Sequence, residues 1–159
     1  MRFMTDVYPK NAKNDPPVEI GWCELVDLPG LGLSDLHAKI DTGAATSSLH
    51  AIGIEPYEKD GEDWVRFRIP VGKTKRGPVG EARVYGKRRI RSSNGIMQVR
   101  YVIETPMKLG PLQWMGHMTL ANRQSMIFPV LVGRRALRRG FLVNSGKRWM
   151  LGRHKETHK

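Results

Sequence analysis

The stretch that decides the fold is KIDTGAATSSLHA, residues 39–51, in which one carboxylate, Asp41, stands between an apolar approach and a Thr-Gly pair. An Asp-Thr-Gly triplet by itself indicates a turn, because Asp caps turns and Gly accepts positive φ. Its surroundings favour a second interpretation. The preceding LHAKI is typical of a strand, and the small and hydroxyl-bearing residues that follow permit close backbone approach. Asp41 is therefore a candidate catalytic residue, provided that a partner group exists.

A second segment, FPVLVGRRAL at residues 128–137, points to the same kind of site. An apolar strand runs directly into Gly133 and then into GRRALRRGFL, which begins with strong helix formers and lacks β-branched residues before Phe141. Gly140 stands at a plausible C-cap position. This part of the chain predicts a buried strand followed by a short helix.

The dominant hydrophobic period elsewhere in the chain is two. In WVRFRIP, for example, Val65, Phe67 and Ile69 are expected to face one side and Arg66 and Arg68 the other. Extended segments are also predicted in the ranges 19–29, 36–41, 81–90, 95–105, 112–120 and 125–133, with Gly, Pro, Asn or Asp at the joints. The pattern predicts a mainly β chain, with a mainly antiparallel closed or folded sheet and one short helix near its C-terminal end.

Length and composition indicate one domain with short extensions. The 159 residues divide into a flexible leader at 1–17, a domain at 18–152 and a charged tail at 153–159. Cys23 is the single cysteine, which excludes an intrachain disulfide and fits a reducing compartment. No signal-peptide or membrane-spanning run is present in the sequence, so we expect a soluble, cytoplasmic protein without a membrane partner.

Basic charge is concentrated in one region of the chain. The sequence carries 27 Lys and Arg against 15 Asp and Glu, a net charge of +12. Ten of these bases fall between Arg66 and Arg91, where Glu81 is the one acid. Such a stripe predicts an anionic partner such as nucleic acid or an acidic peptide, with a merely solvated basic face as the alternative.

Taken together, these segments resemble a known family. KIDTGAATSSLHA, VRFRIP, RRIRSSNGIMQVRYVIE and MTLANRQSMIFPVLVGRRALRRGFLVN are similar to the bacterial and archaeal proteins known as ATP-dependent zinc proteases, over about residues 18–152. That resemblance implies the retropepsin-like fold of aspartic (acid) proteases, a closed β-barrel with one short C-terminal helix. It also implies that the strand before Gly133 and Arg134, the second core loop, threads beside the loop that carries the catalytic Asp.

Aspartic proteases use two carboxylates that share one proton across a water molecule. The sequence has no second Asp-Thr-Gly or Asp-Ser-Gly, so the second Asp41 is expected from a two-fold homodimer. By resemblance, Thr42 hydrogen-bonds across the dimer axis and Gly43 admits the substrate backbone. Ala44 stands where many pepsin-like enzymes have a hydroxyl that supports the charged carboxylate, which predicts a working pH nearer neutral.

The flap that closes over the substrate is predicted between Pro70 and Gly86, which is rich in Gly and Pro. Beyond it, Arg88, Arg89 and Arg91 are expected to favour acidic substrate side chains through charge-assisted contacts. The family resemblance implies association with ATP-grasp ligases that add glutamates to proteins. We therefore expect an acidic substrate, such as a glutamate-rich protein tail.

The zinc and ATP in the family's label have no matching motif in this sequence. It contains neither H-E-x-x-H nor a G-x-x-x-x-G-K-[ST] phosphate loop, and its pair of His four residues apart, His154 and His158, lies in the charged tail. No metal ligand and no cofactor are therefore expected, and Cys23 is interpreted as a small core residue.

A non-catalytic binding module is the alternative function. In that interpretation the basic stripe holds RNA or a ribosomal surface, and the retropepsin-like barrel is only a scaffold. Four aromatic residues interleaved with the bases are compatible with base stacking, although such residues more often pack a core: Trp64, Phe67, Tyr85 and Tyr101.

Overall fold

The computed structural model describes residues 15–70, 77–91, 94–122 and 127–152. The predicted leader lies mostly outside these ranges and the predicted tail lies wholly outside them. Within them the chain forms eleven strands and one α-helix, with bounds β1 Val18–Ile20, β2 Cys23–Leu28, β3 Leu33–Ile40, β4 Ser47–His50, β5 Ile52–Lys59, β6 Glu62–Arg68, β7 Val79–Arg91, β8 Met97–Leu109, β9 Leu112–Ala121, β10 Val130–Val132, α1 Arg134–Leu137 and β11 Phe141–Val143.

Six of the strands close into a barrel. The main sheet has the order β2-β3-β10-β4-β9-β8-β7-β6-β5, and an additional pairing of β2 with β8 closes the first six of these into a ring. That closing contact joins Asp27 to Lys108. Outside the ring, β7, β6 and β5 continue the sheet from β8, and β1 pairs with β11 in parallel. The prediction of a mainly β closed barrel with one short helix is confirmed.

The core follows the period-two pattern of the sequence. In β6 and the residue after its end, Val65, Phe67 and Ile69 are buried, whereas Arg66 and Arg68 are exposed, as predicted. Cys23 is also buried, in agreement with its interpretation as a core residue. Because successive side chains of a strand point to opposite faces, this alternation places one face on the barrel interior and leaves the other in solvent.

A strand from late in the chain is inserted between two early ones. β10 lies parallel to β3, with Val132 opposite Ile40, and antiparallel to β4, with Val130 opposite Leu49. The loop that joins β3 to β4 therefore passes around the end of β10. This is the threaded arrangement that the sequence predicted for the segment before Gly133, and it places the start of α1 beside the loop carrying Asp41.

Some local predictions differ from the structure. The helix is a single turn that ends at Leu137 rather than near Gly140. Separately, no helix in the described ranges is long and apolar enough to cross a membrane. The sequence did not predict β4, β5 or β11. β5 contains Pro56, which normally argues against a strand, but β5 is the last strand of the sheet and an edge strand tolerates proline.

A buried carboxylate holds the C-terminal segment against the barrel. Glu24 is fully buried and accepts hydrogen bonds from three backbone N–H groups, those of Gly21 at 2.7 Å, Met150 at 2.9 Å and Leu151 at 3.1 Å. The N–H of Trp22 in turn donates to the carbonyl of Lys147 at 2.8 Å. These bonds satisfy a buried charge with fixed dipoles, as burial of a carboxylate requires.

Candidate active site

Asp41 follows the last residue of β3 and is held at both its backbone and its side chain. Its N–H donates to the carbonyl of Val132 on β10 at 2.9 Å, and its Oδ1 accepts the N–H of Gly43 at 2.9 Å. The residue is half-buried. The carboxylate therefore has one oxygen fixed by its own loop, and the strand inserted beside β3 fixes the backbone that carries it.

The rest of the loop is fastened by the first residue of α1. The guanidinium Nη1 of Arg134 donates to the carbonyls of Thr42 at 3.1 Å and Gly43 at 3.0 Å, and its backbone N–H donates to the carbonyl of Ala44 at 2.7 Å. The structure thus brings together Arg134 and the predicted active-site loop. Arg134 acts on the loop backbone, a role that the sequence did not reveal.

Gly133 lies where two backbones approach closely. A Cβ at this position would stand 2.6 Å from the carbonyl carbon and oxygen of Thr46. Its N–H donates to Ser47 Oγ at 3.1 Å, which ties the end of β10 to the start of β4. Only glycine fits here without displacement of the Asp41 loop, and the reason is space rather than an unusual φ, which is −95°.

The tip of the loop faces outward. Thr42 and Gly43 are exposed, and Ala44 is half-buried. Among the residues that the structure describes, no carboxylate is hydrogen-bonded to Asp41. One copy of the described chain therefore presents one fixed carboxylate at an exposed loop. The contacts predicted for Thr42 and Gly43 with a second protomer and with substrate remain predictions.

An apolar patch adjoins this loop. The carbonyl of Trp22 accepts the N–H of Ile40 at 2.8 Å, so Trp22 lies beside the residue that precedes Asp41. Its ring packs edge-on against Phe128, with 5.9 Å between centroids. Trp22 is 37% exposed, and Ile127, which precedes Phe128 in the chain, is 84% exposed. Exposed apolar side chains grouped in this way indicate a surface that binds a protein partner or a substrate.

The predicted flap, between Pro70 and Gly86, lies between the antiparallel strands β6 and β7 and includes the start of β7. Residues 71–76 lie outside the described ranges, and residues 79–86 belong to strand β7, which pairs first with β6 and then with β8. A later hairpin also extends from the barrel. The last pair of β8 with β9 is Val102 with Thr119, and beyond it β7 and β8 continue as a two-stranded ribbon over residues 86–102. The segment between Arg91 and Met97, of which residues 94–96 are described, joins the two strands of this ribbon.

The three arginines predicted to bind substrate lie on this ribbon in different settings. Arg88 lines a cavity of about 210 Å³ whose wall also contains Thr46, five residues after Asp41. Arg89 and Arg91 are exposed farther along β7 and are not part of that wall. The structure therefore brings Arg88 close to the active-site loop and leaves the other two on the outer ribbon.

Residues that the sequence did not single out complete this wall. Arg135 belongs to α1 and Arg139 to the turn that follows it, which together we call the helical segment (residues 134–139), and His117 belongs to β9. His117 Nε2 lies 3.2 Å from Glu104 Oε2, and the ring of Tyr85 stacks on the His117 ring at 3.7 Å. In the sequence, the four-residue spacing of Arg135 and Arg139 in a predicted helix was the one feature that could have indicated that they share a face.

The aromatic residues of the RNA alternative do not form one exposed platform. Phe67 is buried in the core, and Tyr85 is stacked on His117. Lys59 covers the ring of Trp64 at 4.4 Å, and Lys87 lies 5.7 Å from the ring of Tyr101. Base stacking requires a free ring face, so this arrangement favours packing roles for Trp64, Phe67 and Tyr101, whereas Tyr85 is 58% exposed.

The described residues do not fit the zinc of the family's label. Across residues 15–70, 77–91, 94–122 and 127–152, no three His, Cys, Asp or Glu side chains gather as a metal ion requires. His154 and His158 lie outside these ranges. No step of the chemistry below is assigned to a metal.

Comparisons with known proteins agree with this geometry. The family model for RimB-like proteins, described as retropepsin-like aspartic endopeptidase RimB, matches residues 19–154. A solved structure of a protein of unknown function from Legionella pneumophila superposes with a TM-score of 0.71 and is 30% identical, over 84% of this chain and 98% of that one.

Two relatives carry a different name. A probable alpha-L-glutamate ligase of Shewanella halifaxensis is 37% identical over 86% of this chain, and one of Desulfotalea psychrophila is 38% identical over 82%. The match covers only 30% and 28% of those two proteins. This chain therefore spans less than a third of the length of the relatives that bear the ligase name.

Proposed function

The chain belongs to the RimB-like family of retropepsin-like aspartic endopeptidases, and we propose that it hydrolyses peptide bonds with two Asp41 carboxylates, one from each protomer of a homodimer. The observation that carries the proposal is the fixed setting of Asp41. The carboxylate is half-buried at a threaded β10 junction, one of its oxygens is bound by Gly43, and its loop is clamped by Arg134.

The chemistry follows from the pairing of like charges. Two carboxylates held close together cannot both ionise readily, so the pair retains one proton and titrates as a unit. The ionised member removes a proton from water as the water attacks the peptide carbonyl, and the protonated member polarises the carbonyl oxygen. Oδ1 of Asp41 already accepts the N–H of Gly43, and we assign the proton transfer to Oδ2, which accepts no hydrogen bond from the described residues.

A homodimer would supply the second carboxylate of the proposed site. A two-fold axis through the exposed loop tip would bring Asp41 and Thr42 against their symmetry mates, as a self-complementary interface requires. The apolar patch of Trp22 and Ile127 beside the loop supports the same conclusion, since either a second protomer or the substrate it helps to hold would cover it.

An acidic substrate is supported by two observations. The ribbon of β7 and β8, which we assign as the flap, carries Arg88, Arg89 and Arg91 on its exposed strand. Relatives more than three times as long as the match are named glutamate ligases. We infer that the matched part of those relatives is a peptidase-like domain joined to a glutamate-adding one, and that this chain trims glutamate-rich tails in the cytoplasm alongside such a ligase.

The first experiment compares the wild-type protein with Asp41→Asn, which preserves shape but removes the carboxylate. A glutamate-rich peptide is incubated with each, and products are identified by mass spectrometry. We expect cleavage by the wild type and none by the variant, with unchanged circular dichroism. Cleavage that persists in Asp41→Asn excludes the proposed chemistry.

A mixing experiment tests the shared site. Asp41→Asn subunits are exchanged with an equal amount of wild type, and Gly146→Ala, in an exposed loop, serves as the control subunit. If each active site needs both carboxylates, activity per wild-type chain falls to about half, because half of the wild-type chains enter mixed dimers. Activity per wild-type chain that does not change would show that one Asp41 suffices.

A further inference from the structure

A small cationic cavity lies beside the active-site loop. It has a volume of about 210 Å³ and is lined by residues of β7, β8, β9, the start of β4 and the helical segment. Its lining contains four basic side chains and no Asp or Glu: Lys87, Arg88, Arg135 and Arg139. Lys87, Arg88 and Arg135 are exposed and Arg139 is half-buried, so these four cations border one concave site.

The cavity shares wall residues and a backbone hydrogen bond with the segment that follows Asp41. Thr46 and Ser47 belong both to its wall and to the segment that follows Asp41. The backbone N–H of Arg135 donates to the carbonyl of Ala45 at 3.1 Å. A group bound in the cavity would therefore lie a short distance along an extended substrate from the bond that Asp41 acts on.

The cations of the cavity lack anionic partners within the described chain. No described carboxylate forms an ion pair with Arg88, Arg135 or Arg139. The carboxylate of Glu104 is engaged by His117. Burial lowers the pKa of the Arg139 guanidinium, which also lies 5.8 Å from the Trp114 ring centroid. A partly desolvated cation such as Arg139 gains from an anionic ligand more than a solvated one does.

Size and chemistry together select the ligand. Pockets for small molecules usually enclose about 300–1,000 Å³, and 210 Å³ is smaller than that range. It suits one side chain rather than a cofactor. Guanidinium groups bind carboxylates through two parallel hydrogen bonds, which gives both charge and orientation.

We propose that this cavity is a subsite that binds one carboxylate side chain of the peptide substrate, with Arg135 and Arg139 as its specificity-determining residues. The inference rests on the proposed peptidase function for the identity of the ligand. It goes beyond that function because it assigns selectivity for acidic side chains to Arg135 and Arg139 of the helical segment, rather than to the outer arginines of the flap.

The test measures binding separately from cleavage. Fluorescence anisotropy follows a labelled glutamate-rich peptide and its glutamine counterpart on full-length Asp41→Asn protein, which does not consume the probe. Arg135→Gln and Arg139→Gln are added singly to this background. The matched control is Arg138→Gln, because Arg138 is an exposed arginine of the same segment and lies outside the cavity wall.

Loss of a charge-assisted contact predicts about a tenfold or greater rise in Kd for the glutamate peptide with each of Arg135→Gln and Arg139→Gln. The glutamine peptide should bind weakly to all the proteins. Arg138→Gln should change Kd less than twofold. Arg139→Lys should bind the glutamate peptide more tightly than Arg139→Gln but less tightly than the protein with Arg139, because lysine keeps the charge and loses the paired hydrogen bonds. Equal melting temperatures establish that each variant is folded, and if Arg139→Gln unfolds, Arg135→Gln and Arg139→Lys decide the test.

Two outcomes overturn the subsite. If Arg138→Gln weakens binding as much as Arg135→Gln, a diffuse positive field is responsible. If the glutamine peptide binds as tightly as the glutamate peptide, the cavity does not distinguish a charged side chain from a neutral one. Failure of the proposed function looks different, since the wild type would then bind the glutamate peptide through Arg135 and Arg139 without cleaving it.

Discussion

The sharpest test of the threaded junction is Gly133→Ala. The added Cβ would stand 2.6 Å from the carbonyl carbon and oxygen of Thr46 and 2.9 Å from its nitrogen, whereas ordinary contact begins at 3.4 Å. Backbone atoms must therefore separate by about 0.8 Å, and no flexible side chain can absorb the movement. Overpacking of this kind costs about 1–3 kcal/mol. For a chain of this size each kcal/mol lowers Tm by about 2–4 °C.

Catalysis should suffer more than stability from the same change. Thr46 follows the Asp41 loop, and misplacement of a catalytic group by about 1 Å can reduce activity a hundredfold. Differential scanning calorimetry and kcat/KM on an acidic peptide measure the two effects. Gly146→Ala is the control, because its nearest neighbour is 3.5 Å away and its backbone is unstrained. A Gly133→Ala protein with the Tm and activity of the wild type would refute the close packing of β10 against the loop.

Three further predictions concern other contacts. Arg134→Met removes two hydrogen bonds to the Asp41 loop, so kcat should fall at least tenfold with little change in Tm; an unchanged kcat would show that the clamp is dispensable. Glu24→Ala leaves three backbone donors without their acceptor, and urea denaturation should show a loss of about 3 kcal/mol or more, whereas a loss below about 1 kcal/mol would contradict the structural role. The hydrogen bond from Tyr57 lowers the pKa of Glu81, and neighbouring Lys and Arg charges add to this. Tyr57→Phe should therefore raise the pKa of Glu81 in an NMR titration, and a pKa that does not move would refute the assignment. Because the pKa of Glu81 is lowered in the folded protein, its stabilising contribution exists at neutral pH and is lost as pH falls below about 4.

The strand predictions succeeded where side-chain periodicity was strong. Val65, Phe67 and Ile69 alternate with charged residues, and burial of one face follows from the geometry of a strand. β4 and β5 were missed because their residues, with several hydroxyls, a Gly and Pro56, have weak intrinsic strand preference. They are strands because neighbouring strands supply hydrogen-bond partners, which depends on tertiary context.

The setting of the Asp41 carboxylate was predictable because its neighbours in sequence are also its neighbours in space. Asp41 and Gly43 are two residues apart, and their hydrogen bond is a local turn. The cavity of Arg88, Arg135 and Arg139 was not predictable in this way, because it joins a strand and a helical segment about 50 residues apart. The ribbon of β7 and β8 was not predictable for a related reason, since only the pairing register shows where β8 separates from β9.

By itself, the sequence determined that the chain is mainly β, that Asp41 stands at the end of a strand, and that it contains one Asp-Thr-Gly triplet and no second copy. These properties depend on residue type and short spacing, which local physical chemistry controls. Only the tertiary structure decided how the barrel closes from β2 to β8, why Gly133 must lack a side chain, and which arginines surround the catalytic loop. Those features depend on distances between segments remote in sequence, which packing of the whole chain sets.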